Sequence, residues 1–137
     1  MKVQKKKVAI YCRVASLEQG ELEVQKQKKS IEEYINKYNR LAEKKYYIDL
    51  GYSGLNFNRP AFKELVSDIE KNEISYIYVT DFSRISRKMD DLSDFIDRKL
   101  KSKKVKLISV FNNGNFSNIH KEVLRKCLKI QKNRRSA

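Results

Sequence analysis

Apolar and polar positions fall along this chain in short continuous runs and longer spaced ones, and the two kinds alternate. Residues 8–14 (VAIYCRV) form an apolar, β-branched run interrupted only by an arginine, the pattern of a strand covered on both faces of a parallel sheet. From residue 21 to about 44, Leu22, Val24, Ile31, Tyr34, Ile35, Tyr38 and Leu41 recur among Lys, Glu and Gln at helical spacing, which predicts a long crossover helix. Residues 46–50 (YYIDL) predict a second strand. The loop GYSGLNFNRP follows, and Pro60 opens a helix reaching about residue 70. Residues 74–80 (ISYIYVT) read as a third strand. After DFSRISR comes a helix over about 88–101 with Leu92, Phe95, Ile96 and Leu100 on its apolar side, then a fourth strand over 105–110 (VKLISV).

This alternation predicts an α/β fold, a mostly parallel central sheet with flanking helices. FNNGNFSN is a polar break. From Ile119 onward, Val123, Leu124, Cys127, Leu128 and Gln131 trace a narrow stripe on a helix otherwise rich in Lys and Arg, which is expected to project from the core. Residues 1–115 are therefore expected to form the main domain. Residues 116–137 are expected to start a basic helix that could track a phosphate backbone, with Arg125, Lys129, Arg134 and Arg135 as candidate DNA-binding residues.

Composition supports one folded unit: 137 residues, 40% hydrophobic, eight Tyr and six Phe, with one Pro and four Gly, despite 35% charged residues. A net charge of +14 favours a polyanionic partner, nucleic acid first, although a lysine-rich surface alone also produces such a value. Cys12 lies in the first apolar run and Cys127 near the C-terminus, without a CxxC pair. Free thiols in a reducing cytosol fit that usage. No signal peptide or membrane-spanning run is visible, so a cytoplasmic protein is expected.

In an open parallel sheet, ligands collect beyond the carboxyl ends of the strands. There the first strand delivers Arg13 and Ser16, the second leads to Asp49, Ser53 and Arg59, and the third runs into Asp81, Ser83, Arg84 and Arg87. Four arginines expected at one edge suit a phosphodiester, since the guanidinium fork matches phosphate oxygens and keeps its charge. No metal set is evident: the carboxylates are scattered and the one histidine, His120, is distant. Each residue also has a plainer reading. Arg13 could pair with Asp49 or Asp81, Ser16 could cap the helix ahead of Glu18 and Glu21, Ser53 could be a turn residue, and Ser83 could cap the helix after Arg87.

The same residues resemble the catalytic domain of the serine site-specific recombinases, the resolvase and invertase family, whose first strand ends in Y-x-R-V-S-[ST]-x-x-Q. Tyr11, Arg13, Val14, Ser16 and Gln19 fall in that frame, Gln25 in LEVQKQ matches the glutamine of the first helix, and Asp49, Ser53, Gly54, Arg59 and Pro60 match a second block. DFSRISR resembles the D-x-S-R-x-x-R form of the third, so the likeness spans roughly residues 7 to 110 in order. It implies cleavage and rejoining of double-stranded DNA through a 5′-phosphoserine link, without metal, ATP or other cofactor. By the same resemblance Arg13, Arg59, Arg84 and Arg87 would bind the scissile phosphate, with Gln25, Asp49, Ser53 and Ser83 in support. Homodimers, a tetrameric synaptic complex and a mobile element of bacteria or phage are implied too, and the helix expected over residues 116–137 resembles the start of the family's dimerisation helix.

Two departures qualify the likeness. The family nucleophile stands two residues after the arginine, where this chain has Ala15, and Ser16 occupies the next position. A displaced nucleophile at Ser16, a natural non-catalytic relative and an introduced alanine are the three explanations. The chain also stops at Ala137, where family members usually continue into a DNA-binding domain. From a different class, a non-enzymatic DNA-binding subunit that pairs with an active recombinase is the chief alternative. A flavodoxin-like receiver or nucleotide-binding domain shares the fold pattern, but it requires an acidic cluster or a Gly-rich loop that the chain lacks.

Overall fold

The computed structural model describes residues 6–111 and 114–115. Four parallel strands, β1 (Lys7–Val14), β2 (Lys44–Leu50), β3 (Ile74–Val79) and β4 (Lys106–Ser109), lie in the order β2-β1-β3-β4. A short β5 (Gly114–Asn115) adds to β4 in the antiparallel sense. The α/β expectation holds, and β5 falls inside the segment expected to be a polar break. Two residues carry no periodicity, so the pattern could not have signalled it.

Alternation along β1 divides the core into two layers. Val8, Ile10, Cys12 and Val14 face α1 (Gly20–Tyr38) and pack with its Val24, Ile31 and Ile35. Ala9 and Tyr11 face the opposite layer, where α2 (Pro60–Glu70) supplies Phe62, Leu65 and Ile69 and α3 (Met89–Phe95) supplies Leu92 and Phe95. The last turn of α3 widens to π geometry over Ile96–Leu100. Arg13 is the next odd position of β1 and so enters the layer of α2 and α3.

The first helix ends six residues short of its expected limit at residue 44. Asn39 leaves helical geometry at φ −151°, and the chain must turn back to place β2 beside β1. Leu41 is consequently 84% exposed rather than part of the apolar face, and Leu22 and Tyr38 are exposed as well. The buried face runs instead through Gly20, Val24, Gln27, Ile31 and Ile35. Among the described residues no helix is long and apolar enough to cross a membrane. The expected C-terminal helix, with Arg125, Lys129, Arg134 and Arg135, lies outside the described residues.

Candidate active site at the carboxyl ends of the strands

β1 pairs with β3 only as far as Ile10, whereas it follows β2 to Val14. Beyond Ile10 the two central strands part, and the main chain of Arg13 loses its neighbour on that side. Gln27 of α1 takes the neighbour's place. Its Oε1 accepts the Arg13 N–H at 3.3 Å and its Nε2 donates to the Arg13 carbonyl at 3.1 Å. The order β2-β1-β3-β4 makes this opening the switch point where ligands bind in such sheets.

Arg13 is 1% exposed, and among the described residues its guanidinium meets carbonyls rather than a carboxylate. Its Nε donates to the Arg84 carbonyl at 3.1 Å, Nη1 to the Tyr52 carbonyl at 3.1 Å and Nη2 to the Ser83 carbonyl at 2.8 Å. Burial, with the Arg59 charge second, holds its pKa below the usual value. The plainer reading of Arg13, an ion pair with Asp49 or Asp81, is therefore not what the structure has. Gly54 is what admits this guanidinium, because a Cβ on residue 54 would stand 2.6 Å from Nη2 and 2.8 Å from Cζ.

Arg59 is buried completely. Its Nε donates to the Asn56 carbonyl at 3.0 Å, Nη1 to the Arg84 carbonyl at 2.9 Å and to the Tyr11 hydroxyl at 2.7 Å, and Nη2 to the Ile85 carbonyl. The guanidinium also lies over the rings of Phe62 and Phe57, 4.7 and 5.5 Å from their centroids. Tyr11 passes its own proton toward Asp49 Oδ2 at 2.7 Å. Asp49 in turn accepts the N–H groups of Ala61 and Phe62, both at 2.9 Å, and so satisfies the first turn of α2. Burial, ahead of the neighbouring charges, pushes the Tyr11 phenol well above its usual pKa, so it remains a neutral link between Asp49 and Arg59.

Arg84 and Arg87 differ from this pair. Arg84 sits in a single 3-10 turn (Phe82–Arg84) whose cap, Asp81, accepts the Ser83 N–H at 3.1 Å. Its side chain is 26% exposed, Nη1 donates to the Arg13 carbonyl at 3.2 Å, and Nε lies 3.3 Å from Asp81 Oδ2 without hydrogen-bond alignment. Arg87 is exposed, and its main-chain N–H donates to the Gly54 carbonyl at 3.0 Å. A basic cleft continues from Arg84 along Lys26, Lys29, Ser30 and Thr80.

Of the serines, Ser53 keeps its plainer reading, whereas Ser16 and Ser83 do not. Ser16 does not cap α1, whose cap is Gln19 in a left-handed conformation (φ 55°) without a side-chain bond. Ala15 and Ser16 lie past the end of β1, both exposed, and the Ser16 hydroxyl reaches only the Glu18 carbonyl at 3.5 Å. Ser53 is an exposed turn residue accepting the Leu55 N–H at 3.0 Å. Ser83 binds Asp81 through its hydroxyl, and Ser86 rather than Ser83 accepts an N–H, from Lys88 at 3.1 Å, at the start of α3. Gln25 is exposed on the outer side of α1 beside Leu22, Lys28 and Ile48, so Gln27 has the inward position. Its signal was available: residue 27 stands three after Val24 and four before Ile31, on the apolar stripe. Among the described residues no group of three or more His, Cys, Asp or Glu is placed to hold a metal ion.

A resolvase N-terminal domain model matches residues 8–134. A Bacillus subtilis (strain 168) protein named "Putative DNA recombinase" is 37% identical over 112 residues, which is 81% of this chain and 21% of that protein. The chain therefore spans about a fifth of the length of that curated relative. The N-terminal catalytic domain of TP901-1 integrase superposes with a TM-score of 0.78 at 25% identity, over 93% of this chain and 98% of that one. A resolvase family site-specific recombinase from Streptococcus pneumoniae shares the fold at 24% identity and a TM-score of 0.66, over 93% of each chain. With its strand-end arginines and its family match in the same frame, the chain belongs to the resolvase family and has the N-terminal domain of the serine site-specific recombinases.

Proposed function

We propose that this domain cleaves and rejoins double-stranded DNA with Ser16 as nucleophile and the edge carrying Arg84 and Arg87 as the phosphate site. The observation that carries the reading is the position of residue 16. It stands beyond the last residue of β1, where strand alternation no longer dictates its direction, and it is exposed without serving as a helix cap. In the reaction, Ser16 Oγ bonds to phosphorus as the bond from phosphorus to the 3′ oxygen breaks. The serine proton passes to solvent, and the departing oxygen takes up a proton to become a 3′-hydroxyl. The ester conserves the bond energy, so attack by a 3′-hydroxyl reverses the step without ATP. Arg84 and Arg87 neutralise the charge that gathers on the phosphate, while Arg13 and Arg59 hold the loops that carry them. Dimers that pair into a tetramer on DNA complete the proposal.

Ala15 favours a second reading, a DNA-binding relative without chemistry that pairs with an active recombinase. A nicked suicide duplex carrying the junction sequence from the flanking DNA separates the two. The first reading predicts a covalent protein–DNA adduct that Ser16→Ala abolishes. No adduct from this chain, but one from Ala15→Ser, establishes the second.

A further inference from the structure

Away from the strand ends, α2 and α3 enclose a cavity of about 370 Å³ lined by Phe57, Phe62, Val66 and Phe95, with Lys63, Asp94, Arg98 and Lys99 around it. Its floor is aromatic: the Phe57 and Phe62 rings stack at 5.0 Å, and Phe62 and Phe95 lie 5.1 Å apart. Three cations face one carboxylate at the rim. Arg98 is held by Asp94 at 2.8 Å and Lys99 by Glu70 at 3.2 Å, in exposed pairs of the kind that contribute little and exchange readily. Among the described residues Lys63 has the neutral Asn58 Oδ1 as its partner, at 2.8 Å.

The geometry points to a small-molecule site for an amphipathic anion, with an aromatic or alkyl body on the three rings and a carboxylate, sulfonate or phosphate head at Lys63 and Lys99. The volume lies within the range of small-ligand cavities. Charge selects the class: with Asp94 set against Arg98 and Glu70 against Lys99, Lys63 leaves the rim one positive charge in surplus, which disfavours a cationic ligand. A local pocket rather than an extended groove favours a small molecule over a peptide strand. Phe57 and Phe62 also carry the guanidinium of Arg59, so a ligand on these rings touches the support of the buried arginine.

The test is titration of the intact chain with 1-naphthalenesulfonate, followed by ring resonances of the phenylalanines and the Nε–H of Arg59, with the melting temperature read in parallel. Saturable shifts at Phe57, Phe62, Phe95 and Arg59, a raised melting temperature, and binding at least about fivefold weaker for neutral naphthalene support the site. Lys63→Glu combined with Lys99→Glu leaves the floor intact and is expected to weaken the sulfonate about tenfold, the factor for two exposed charge contacts. Val66→Trp fills the cavity and is expected to abolish binding. Equal binding of the neutral compound, no effect of the charge reversal, or binding only by an acidic aromatic peptide would overturn the assignment.

Discussion

The two pairs of arginines at the carboxyl ends of the strands share a chemistry and differ in everything around it. Arg13 and Arg59 are 1% and 0% exposed and aim their forks at main-chain carbonyls of two loops, the one between β2 and α2 and the one between β3 and α3. Arg84 is partly exposed with a carboxylate beside it, and the Arg87 side chain stands in solvent. A buried guanidinium whose hydrogens already meet carbonyls works as a cross-link, because losing it would strand several buried acceptors at once. An exposed one has donors to offer an incoming phosphate. Residue type alone therefore does not identify a phosphate ligand; the partners already bound decide.

The largest effect is expected at Arg59. Arg59→Ala removes the cross-link between the second and third loops and leaves the carbonyls of Asn56 and Ile85 unpaired, a loss of about 4 kcal/mol in urea unfolding. A loss below about 1 kcal/mol would place Arg59 with the exposed pair. Next comes Gly54→Ala, whose methyl group overlaps the Arg13 guanidinium and is expected to cost about 2 kcal/mol. If Gly54→Ala and Arg13→Ala together cost no more than Arg13→Ala alone, the overlap is the cause; simple additivity would contradict it.

Asp68 on α2 is a buried carboxylate whose charge, like that of the buried arginines, is met by fixed partners. Burial raises the Asp68 pKa, but hydrogen bonds from Lys45 at 2.8 Å and from Tyr47 outweigh it and hold the pKa below 3.8. A carboxyl depressed in the folded state contributes stability that is present above the unfolded pKa and disappears as pH falls through the folded one. Asp68→Asn is therefore expected to lower stability by about 1–2 kcal/mol at neutral pH and to converge with the parent in acid. Curves that stay parallel down to pH 2 would refute the linkage. The smallest stability change is expected for Arg87→Ala, within about 0.5 kcal/mol of the parent.

Much of the fold was legible, because four apolar runs separated by helical spacing leave few alternatives to a parallel α/β sheet. The loop lengths and strand ends likewise put the arginines on one edge. What the pattern could not reveal is which donors are already satisfied. Arg13 bonds to the carbonyl of Arg84, 71 residues away, and such partners carry no local periodicity. That Gln27 rather than Gln25 faces the strand end was hidden for a related reason. Gln27 occupies a buried helix position because strand β1 needs an amide where β3 diverges, and that divergence is visible only in the assembled sheet. The first helix was overextended because Tyr38 and Leu41 keep the spacing while the backbone has already turned at Asn39.

The most direct test of the division between buried and exposed arginines compares Arg59→Lys with Arg87→Ala, each measured for its urea midpoint and for the salt dependence of affinity for a duplex. Lysine keeps the charge of Arg59 but lacks its fork. The account predicts a lowered midpoint with an unchanged salt slope for Arg59→Lys. For Arg87→Ala it predicts an unchanged midpoint with the slope reduced by about 0.9, the value for one lost phosphate contact. The opposite assignment of the two effects would contradict it.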